Sequence, residues 1–323
     1  MSMGTLLTTR KMSPELRDRV ERSVGASRTS SSRRLRMAAR VLVLAGLAAA
    51  AWVVSTAVRA HARDKSELEA RRGVFFDRLR AAEAMLGSDA PVFFAKVDPF
   101  VASLAKRDYE GDVVDASLRS APDWDRTLAR PAVYVRGPIG GLASPGPIAE
   151  TALASKKDAL AYCLVDPPAA RTEKAVLAKL RALQDSAGAA DVRRLGDVER
   201  AVRGLGLSWA DRARAARDVK EVDAIEADLA RVPVEEAARA ARAEILIVAA
   251  DEPDEPGPTE LDGERAHSVR LAIVDLRSGH VLLRLRRRVD PKWLGETTRI
   301  TRATAADSCA LAFDAHDAAV HFR

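Results

Sequence analysis

The segment that most constrains this chain is VLVLAGLAAAAWVVSTAV at 41–58, which contains no charged side chain and is bounded by Arg40 and Arg59. At about 1.5 Å per helical residue it would span roughly 27 Å, near the shortest length that crosses a bilayer. A buried Ala-rich core helix and a cleaved secretory signal are the alternatives. Forty residues precede the segment, however, which is too many for a signal peptide. The sequence therefore favours a single transmembrane helix over 41–59.

The distribution of charge indicates membrane topology rather than nucleic-acid binding. The first forty residues hold ten basic and three acidic side chains, whereas the rest of the chain holds 42 basic and 43 acidic ones. Lys and Arg are enriched on the cytoplasmic side of a membrane helix. The two flanks carry similar numbers of Lys and Arg, but only the downstream set is interleaved with carboxylates. We therefore predict a basic, partly disordered cytoplasmic tail over 1–40 and an extracytoplasmic C-terminal domain. The lipid bilayer is a predicted partner, and nucleic acid is not.

Composition adds an expectation about the compartment. Arginine outnumbers lysine about four to one and alanine is abundant, which is typical of a GC-rich genome. Together with the membrane segment, this favours a bacterial envelope protein in the cytoplasmic (inner) membrane, with its N-terminus inside.

Residues 60–86 are predicted to form a juxtamembrane amphipathic helix. Apolar side chains recur there at spacings of three, four and seven residues, which place them on one helical face. Arg72 interrupts this stripe, so packing onto the following domain is favoured over pairing with a second copy. The stripe consists of Leu68, Phe75, Leu79, Ala82 and Leu86.

Residues 87–323 are predicted to form an α/β (or α+β) domain, with a candidate subdivision near 231–233, where a Val-Pro pair interrupts a helical pattern. Short apolar runs bounded by Gly and Pro indicate buried strands, and apolar residues at a spacing of three or four indicate helices. The predicted strands are 91–98, 132–137, 159–165 and 244–250; the predicted helices are 99–106, 147–158, segments around 176–183 and 208–229, and 305–322.

The clearest local pattern is a β-hairpin in SVRLAIVDLRSGHVLLRLRRRVD, where alternating strands flank a turn at Arg277-Ser278-Gly279. The twofold period of a strand puts Arg284, Arg286 and Arg288 on one face. This stripe has two interpretations: a basic contact face for an anionic polymer, or a polar outer face that protects a sheet edge.

The order of elements over 233–323 resembles the periplasmic domains of curli-secretion-type and penicillin-binding-protein-activator-type lipoproteins. The matching segments are AEILIVAAD and VDLRSGHVLL, around Asp275, Gly279 and Val281. The sequence departs from the family pattern at Ala249-Ala250, where a Gly usually follows the strand, and it lacks the lipid-bearing Cys. The resemblance implies a function through protein–protein contact rather than catalysis.

The sequence contains no complete catalytic or ligand-binding motif. Phosphate-binding, nucleophile-elbow and zinc-protease patterns do not occur in the sequence, and Asn is absent. The S-x-x-K match at 103–106 lacks its companion motifs, and His316 beside two aspartates fits a charged helix surface. The acidic stretch 251–263 does not have EF-hand spacing and fits a solvated loop. We predict no catalytic, cofactor-binding or metal-binding residue, and no cofactor.

The two cysteines, Cys163 and Cys309, both lie in the predicted extracytoplasmic part, where oxidation is permitted. Their spacing leaves two interpretations open: a disulfide, or two buried free thiols.

The sequence therefore favours a membrane-anchored interaction or scaffold protein of the envelope, with other envelope proteins or a second copy as partners. One alternative is an envelope enzyme whose catalytic carboxylates are brought together only by the fold. Another is a single-pass signalling protein whose tail binds a cytoplasmic regulator.

Overall fold

The computed structural model describes residues 13–106, 108–155, 159–185, 191–252 and 266–321. The chain divides into two compact units, Met1–Ala70 and Arg71–Arg323. The strands are β1 (Val113–Val114), β2 (Ala132–Pro138), β3 (Val192–Arg194), β4 (Ile245–Glu252), β5 (His267–Asp275) and β6 (His280–Val289). The helices are α1 (Pro14–Leu86), α2 (Asp89–Leu104), α3 (Ala121–Leu128), α4 (Pro145–Ala154), α5 (Ala159–Val165), α6 (Glu173–Asp185), α7 (Leu195–Leu205), α8 (Trp209–Ala215), α9 (Val219–Leu229), α10 (Val234–Ala240) and α11 (Glu296–Val320).

Helix α1 is far longer than one membrane crossing requires. It has 73 residues, and it combines the predicted membrane segment and the predicted juxtamembrane helix in one element. The expected boundary between these two helices, at residues 59 and 60, is therefore not a helix end. The first unit holds the apolar part of this helix, where the described side chains of 41–58 are exposed except for the half-buried Ser55.

In the second unit, residues 71–86 carry the buried face of the predicted amphipathic stripe. Phe75, Leu79 and Leu86 are buried, with Phe75 fully inaccessible. Arg72, the charge within the stripe, donates hydrogen bonds to the carbonyls of Ala213, Arg214 and Ala216 at 2.6 to 3.0 Å. The last carbonyls of a helix lack partners within the helix, so Arg72 stabilises the C-terminal end of α8.

The sheet of the second unit is mixed, in the order β1-β6-β5-β4-β2-β3. Strand β2 lies parallel to β3 and β4, whereas β4, β5, β6 and β1 follow one another antiparallel. The β2–β4 register runs from Ala132 opposite Ile245 to Pro138 opposite Asp251. The predicted mixed α/β fold is therefore present, and the predicted hairpin is confirmed as β5 and β6. Gly279 in its turn has a φ of 74°, which suits Gly.

Helices cover both faces of this sheet. Ile245, Ile247 and Ala249 of β4 belong to one hydrophobic core, and the intervening residues belong to the other. A strand covered on both faces reads as a continuous apolar run, which explains why β4 was recognisable in the sequence. The first core contains residues of α3, α5, α6 and α11, and we call this side of the sheet the α11 face; the second contains residues of α2, α4, α7 and α10, and we call that side the α2 face.

Two predicted strands are wrong. Residues 91–98 belong to α2, where Phe93, Val97 and Val101 are buried at helical spacing on both sides of Pro99. Residues 159–165 form helix α5, in which Leu160, Cys163 and Leu164 face the core. A short apolar run does not by itself distinguish a buried strand from a buried helix. The strand that pairs with β2 on the side away from β4 is β3, which lies parallel to it.

Other boundaries differ in detail. The helix predicted at 147–158 begins at Pro145 and ends at Ala154, and α11 begins at Glu296 rather than at residue 305. The helical stretch 208–229 is divided into α8 and α9, and Asp218 caps α9 by accepting a hydrogen bond from the Glu221 amide at 2.9 Å. Residues 231–233 link α9 to α10 within the second unit. Most of the predicted acidic loop, from residue 253, lies outside the described residues.

Candidate functional site

The apolar part of α1 is the first candidate functional feature. Within the described residues, one helical stretch contains an 18-residue window with a mean hydropathy of 2.2, and no residue of that window is buried. The stretch is long and apolar enough to cross a membrane. Exposing so many apolar side chains to water is unfavourable, which makes this stretch a candidate membrane span.

The disulfide candidates lie together between α5 and α11. Cys163 and Cys309 are joined in the structure, with their Cα atoms 5.2 Å apart, although 146 positions separate them along the chain. Both side chains are buried in the core on the α11 face. The bond links the middle of the second unit to its C-terminal helix.

A buried polar cluster lies on the α11 face, at the end of the sheet where β2 and β4 finish. Arg136 of β2 and Asp251 of β4 are each about 5% exposed and form an ion pair with an Nη2–Oδ1 distance of 2.9 Å. Arg136 Nη1 also donates to Ser308 Oγ of α11 at 2.9 Å. His267 of β5 places its Nε2 3.4 Å from Asp251 Oδ1. We call Arg136, Asp251, His267, Asp307 and Ser308 the buried polar cluster.

The fold shifts the pKa values of the two carboxylates in the buried polar cluster, and the cause differs between them. Burial alone would raise the pKa of Asp251, but the neighbouring Arg136 and His267 outweigh it and hold that pKa below its usual value. For Asp307, burial dominates and raises the pKa, although the Trp293 indole donates to Oδ1 at 2.8 Å. Asp307 Oδ2 has no hydrogen-bond partner among the described residues. The two carboxylates thus have pKa values shifted in opposite directions, downward for Asp251 and upward for Asp307.

The buried polar cluster was not predicted from the sequence. Its members are up to 172 positions apart, and no local motif joins them. A signal was nevertheless present: Arg136 and Asp251 lie in line with the inward-facing residues of β2 and β4. A charge at an inward position of an apolar strand requires a partner.

A second charged cluster lies on the α2 face. Arg270 of β5 pairs with Glu252 of β4 and donates to the Leu104 carbonyl at 3.0 Å, near the end of α2. Arg286 joins the same carboxylate with an Nε–Oε2 distance of 2.7 Å. Because Arg270 binds both β4 and the end of α2, this cluster fixes the helix on the sheet.

The predicted basic face at Arg284, Arg286 and Arg288 is therefore partly neutralised. Arg284 pairs with Glu110 and donates to the Gly111 carbonyl at 3.0 Å. Arg286 binds Glu252, and Arg288 is exposed. Arg284 and Arg286 thus have carboxylate partners within the chain, as expected for charges that protect the edge region of a sheet.

The remaining sequence candidates are placed as follows. Ser103 donates its hydroxyl to the Phe100 carbonyl at 2.8 Å, as a helical Ser commonly does. His316 packs edge-on against Trp124, with ring centroids 5.3 Å apart, and burial lowers its pKa. Among the described residues, no group of three or more His, Cys, Asp or Glu side chains has the arrangement of a metal site.

An open groove of about 540 Å³ lies between α5, α6 and the first half of α11. Tyr162, Leu180, Leu183 and Ala303 contribute apolar lining, and Arg299 and Arg302 contribute the charge. The sequence did not indicate this groove, because α11 was predicted to begin at residue 305. We call it the α5/α6/α11 groove.

Comparisons with protein-family models, with curated proteins and with solved structures found no match.

Proposed function

We propose that this chain is a single-pass protein of a bacterial cytoplasmic membrane whose second unit lies outside and acts as a protein-interaction module. The observation that carries the proposal is the exposed apolar window of α1, which no described part of the chain covers. A bilayer supplies the apolar environment that this window requires. The basic tail before the segment supports an inside N-terminus.

The joined cysteines support placing the second unit outside. Disulfides persist in the periplasm and other oxidising compartments, whereas cytoplasmic thiols are kept reduced. Cys163 and Cys309 both belong to the second unit. An external second unit therefore accounts for the bond and for the charge distribution together.

The use of buried charges supports an interaction module over an enzyme. Arg72, Arg136 and Arg270 donate hydrogen bonds within the second unit. The acceptors are backbone carbonyls at helix ends and buried carboxylates. Such contacts connect elements of the fold to one another. The resemblance of 233–323 to periplasmic contact domains points in the same direction, and its order of helix, strand and hairpin is the order of α10, β4 and β5–β6.

The second candidate function is an envelope enzyme, and the buried polar cluster is the observation that favours it. It brings a histidine and two carboxylates of opposite pKa shift together, which is the kind of pairing that acid–base catalysis uses. However, Arg136 and Asp251 are about 5% exposed, so a substrate does not reach them in this conformation.

Cross-linking in intact cells tests the interaction function. The full chain is treated with a membrane-impermeant cross-linker, purified, and compared with a form in which the second unit, residues 71–323, is deleted. We expect a discrete adduct heavier than the monomer, formed only when the second unit is present. The variants His267→Ala and Asp307→Asn are expected to keep the adduct. Recovery of the monomer alone would contradict the proposal.

A further inference from the structure

The walls of the α5/α6/α11 groove are fixed in place by contacts outside it. The Cys163–Cys309 bond joins α5 to α11. Glu173, at the start of α6, accepts a hydrogen bond from the Gly295 amide at 3.1 Å and one from the Thr298 hydroxyl. Each wall is therefore tied to α11, and a groove that is rigid before binding loses less conformational entropy when it is filled.

The floor of the groove is apolar and continues the hydrophobic core. Leu180 and Ala303 are buried core residues, and Tyr162 and Leu183 pack against the same core. On the rim, Ile300 is 70% exposed, the most exposed large aliphatic side chain described in the second unit. An occupant that covers the floor and Ile300 together is larger than a small molecule, so the shape favours a segment of a protein.

The positive charge of the groove lining indicates the charge of the segment that binds there. Arg299 and Arg302 line the groove, and none of its described lining residues is acidic. Arg299 is half-buried, and neither guanidinium has a carboxylate within salt-bridge distance among the described residues. A half-buried cation without a carboxylate partner favours an anionic group on the molecule that covers it.

We propose that the α5/α6/α11 groove is the docking site for an acidic, amphipathic helical segment of a partner protein. The apolar face of such a helix fills the groove floor, with anchors spaced at three or four residues, and its carboxylates meet Arg299 and Arg302. The inference rests on the proposed interaction function and adds to it the class of partner.

Binding of two defined peptides tests the proposal in vitro. The full chain is held in nanodiscs of zwitterionic phosphatidylcholine. A fluorescent 14-residue peptide carries Leu at i, i+3, i+4 and i+7 with Glu on its flanks, and a second peptide carries Lys in place of Glu. We expect the Glu peptide to bind at least about tenfold more tightly than the Lys peptide, because like charges in contact oppose binding. Equal affinity for both peptides, or no binding of either, would overturn the proposal.

Variants of the rim locate the binding. Arg299→Glu with Arg302→Glu is expected to reverse the peptide preference, and Ile300→Ser to weaken binding about tenfold. Arg217→Glu with Arg242→Glu makes the same change in net charge at exposed positions elsewhere and is expected to bind as the wild type does. The same loss in this control would show a general effect of charge and overturn the assignment.

Other occupants give different results. If the groove variants alter binding to phosphatidylglycerol vesicles and leave peptide affinity unchanged, the ligand is lipid and the proposal is wrong. If they abolish self-association in sedimentation and peptide affinity is unchanged, the occupant is a second copy. The cellular cross-link separates the two proposals. If the adduct persists in the variant Arg299→Glu with Arg302→Glu, the groove is not the docking site, but the interaction function stands. If the wild type forms no adduct, the interaction function itself is contradicted.

Discussion

Arg136 of β2 and Asp251 of β4 form a buried ion pair 115 positions apart in sequence, and through Ser308 the same guanidinium reaches α11. The pair joins two parallel strands to the C-terminal helix that covers them. Burying two charges costs solvation free energy, which only close geometry and further hydrogen bonds offset. The contribution of this pair therefore depends on both partners being present.

A double-mutant cycle tests this dependence. Arg136→Met and Asp251→Leu are each expected to lower the free energy of unfolding by about 3–5 kcal/mol, because each leaves an uncompensated buried charge. The double variant is expected to lose less than the sum of the two. Denaturant unfolding of the full chain measures all three. For the exposed pair Arg214–Asp211, Arg214→Ala is expected to cost less than about 1 kcal/mol. Additive losses at Arg136 and Asp251 would contradict the coupling.

Asp275 at the end of β5 gives the hairpin a predictable pH dependence. Burial alone would raise its pKa, but the amides of Ser278 and Arg277 and the Arg130 guanidinium lower it to about 2. A pKa below the unfolded value of about 3.9 stabilises the fold above that pH. This contribution is lost as the pH falls from about 4 through 2.

The substitution Asp275→Asn is therefore expected to lower the free energy of unfolding by about 2 kcal/mol at pH 7. The difference in unfolding free energy between this variant and the wild type should become smaller as the pH falls from 4 to 2. Chemical denaturation at several pH values measures it. Asp211→Asn, at an exposed position, should change the unfolding free energy by less than about 0.5 kcal/mol. A difference for Asp275→Asn that stays constant down to pH 2 would argue against this account.

Arg72 is expected to control the stability of α8 more than its position near the surface indicates. Arg72→Met removes the three hydrogen bonds to the carbonyls at the end of α8 and should speed amide hydrogen exchange over residues 209–216. Arg72→Lys keeps the charge but lacks the planar fork, so it should restore only part of the protection. Unchanged exchange in Arg72→Met would show that these bonds contribute little.

The disulfide is expected to stabilise the second unit. Replacing Cys163 and Cys309 together by Ala should lower the free energy of unfolding by about 2–5 kcal/mol, because the bond restricts a long loop in the unfolded chain. The measurement is denaturant unfolding with and without reductant, and reductant should destabilise only the wild type. Thiol labelling under denaturation should modify neither cysteine before reduction; full labelling of both would contradict the bond.

The parts of the fold that were predictable from sequence are those whose signal is local. The β5–β6 hairpin follows from strict alternation and from Gly279 in its turn, and β4 follows from a long apolar run. By contrast, the short and uniformly apolar run 159–165 predicts a strand, whereas the structure has a helix there that packs in the same core as α11. The strand β3 has three residues, too few for a pattern.

The candidate sites depend on contacts distant in sequence, which is why they were missed. The buried polar cluster combines residues of three strands and α11, and the groove exists only because α11 begins at Glu296. The cysteine pairing was open for the same reason, since spacing along the chain does not report distance in space. What the sequence did contain was the inward position of Arg136 and Asp251 on apolar strands.

Residues 41–58 are proposed to cross a membrane and to place the second unit outside. C-terminal fusions of the full chain to two reporters, one active only outside the cytoplasmic membrane and one active only in the cytoplasm, test it most directly. We predict activity of the outside reporter and none of the inside reporter, with the reverse after deletion of 41–58. Activity of the inside reporter on the full chain would contradict the claim.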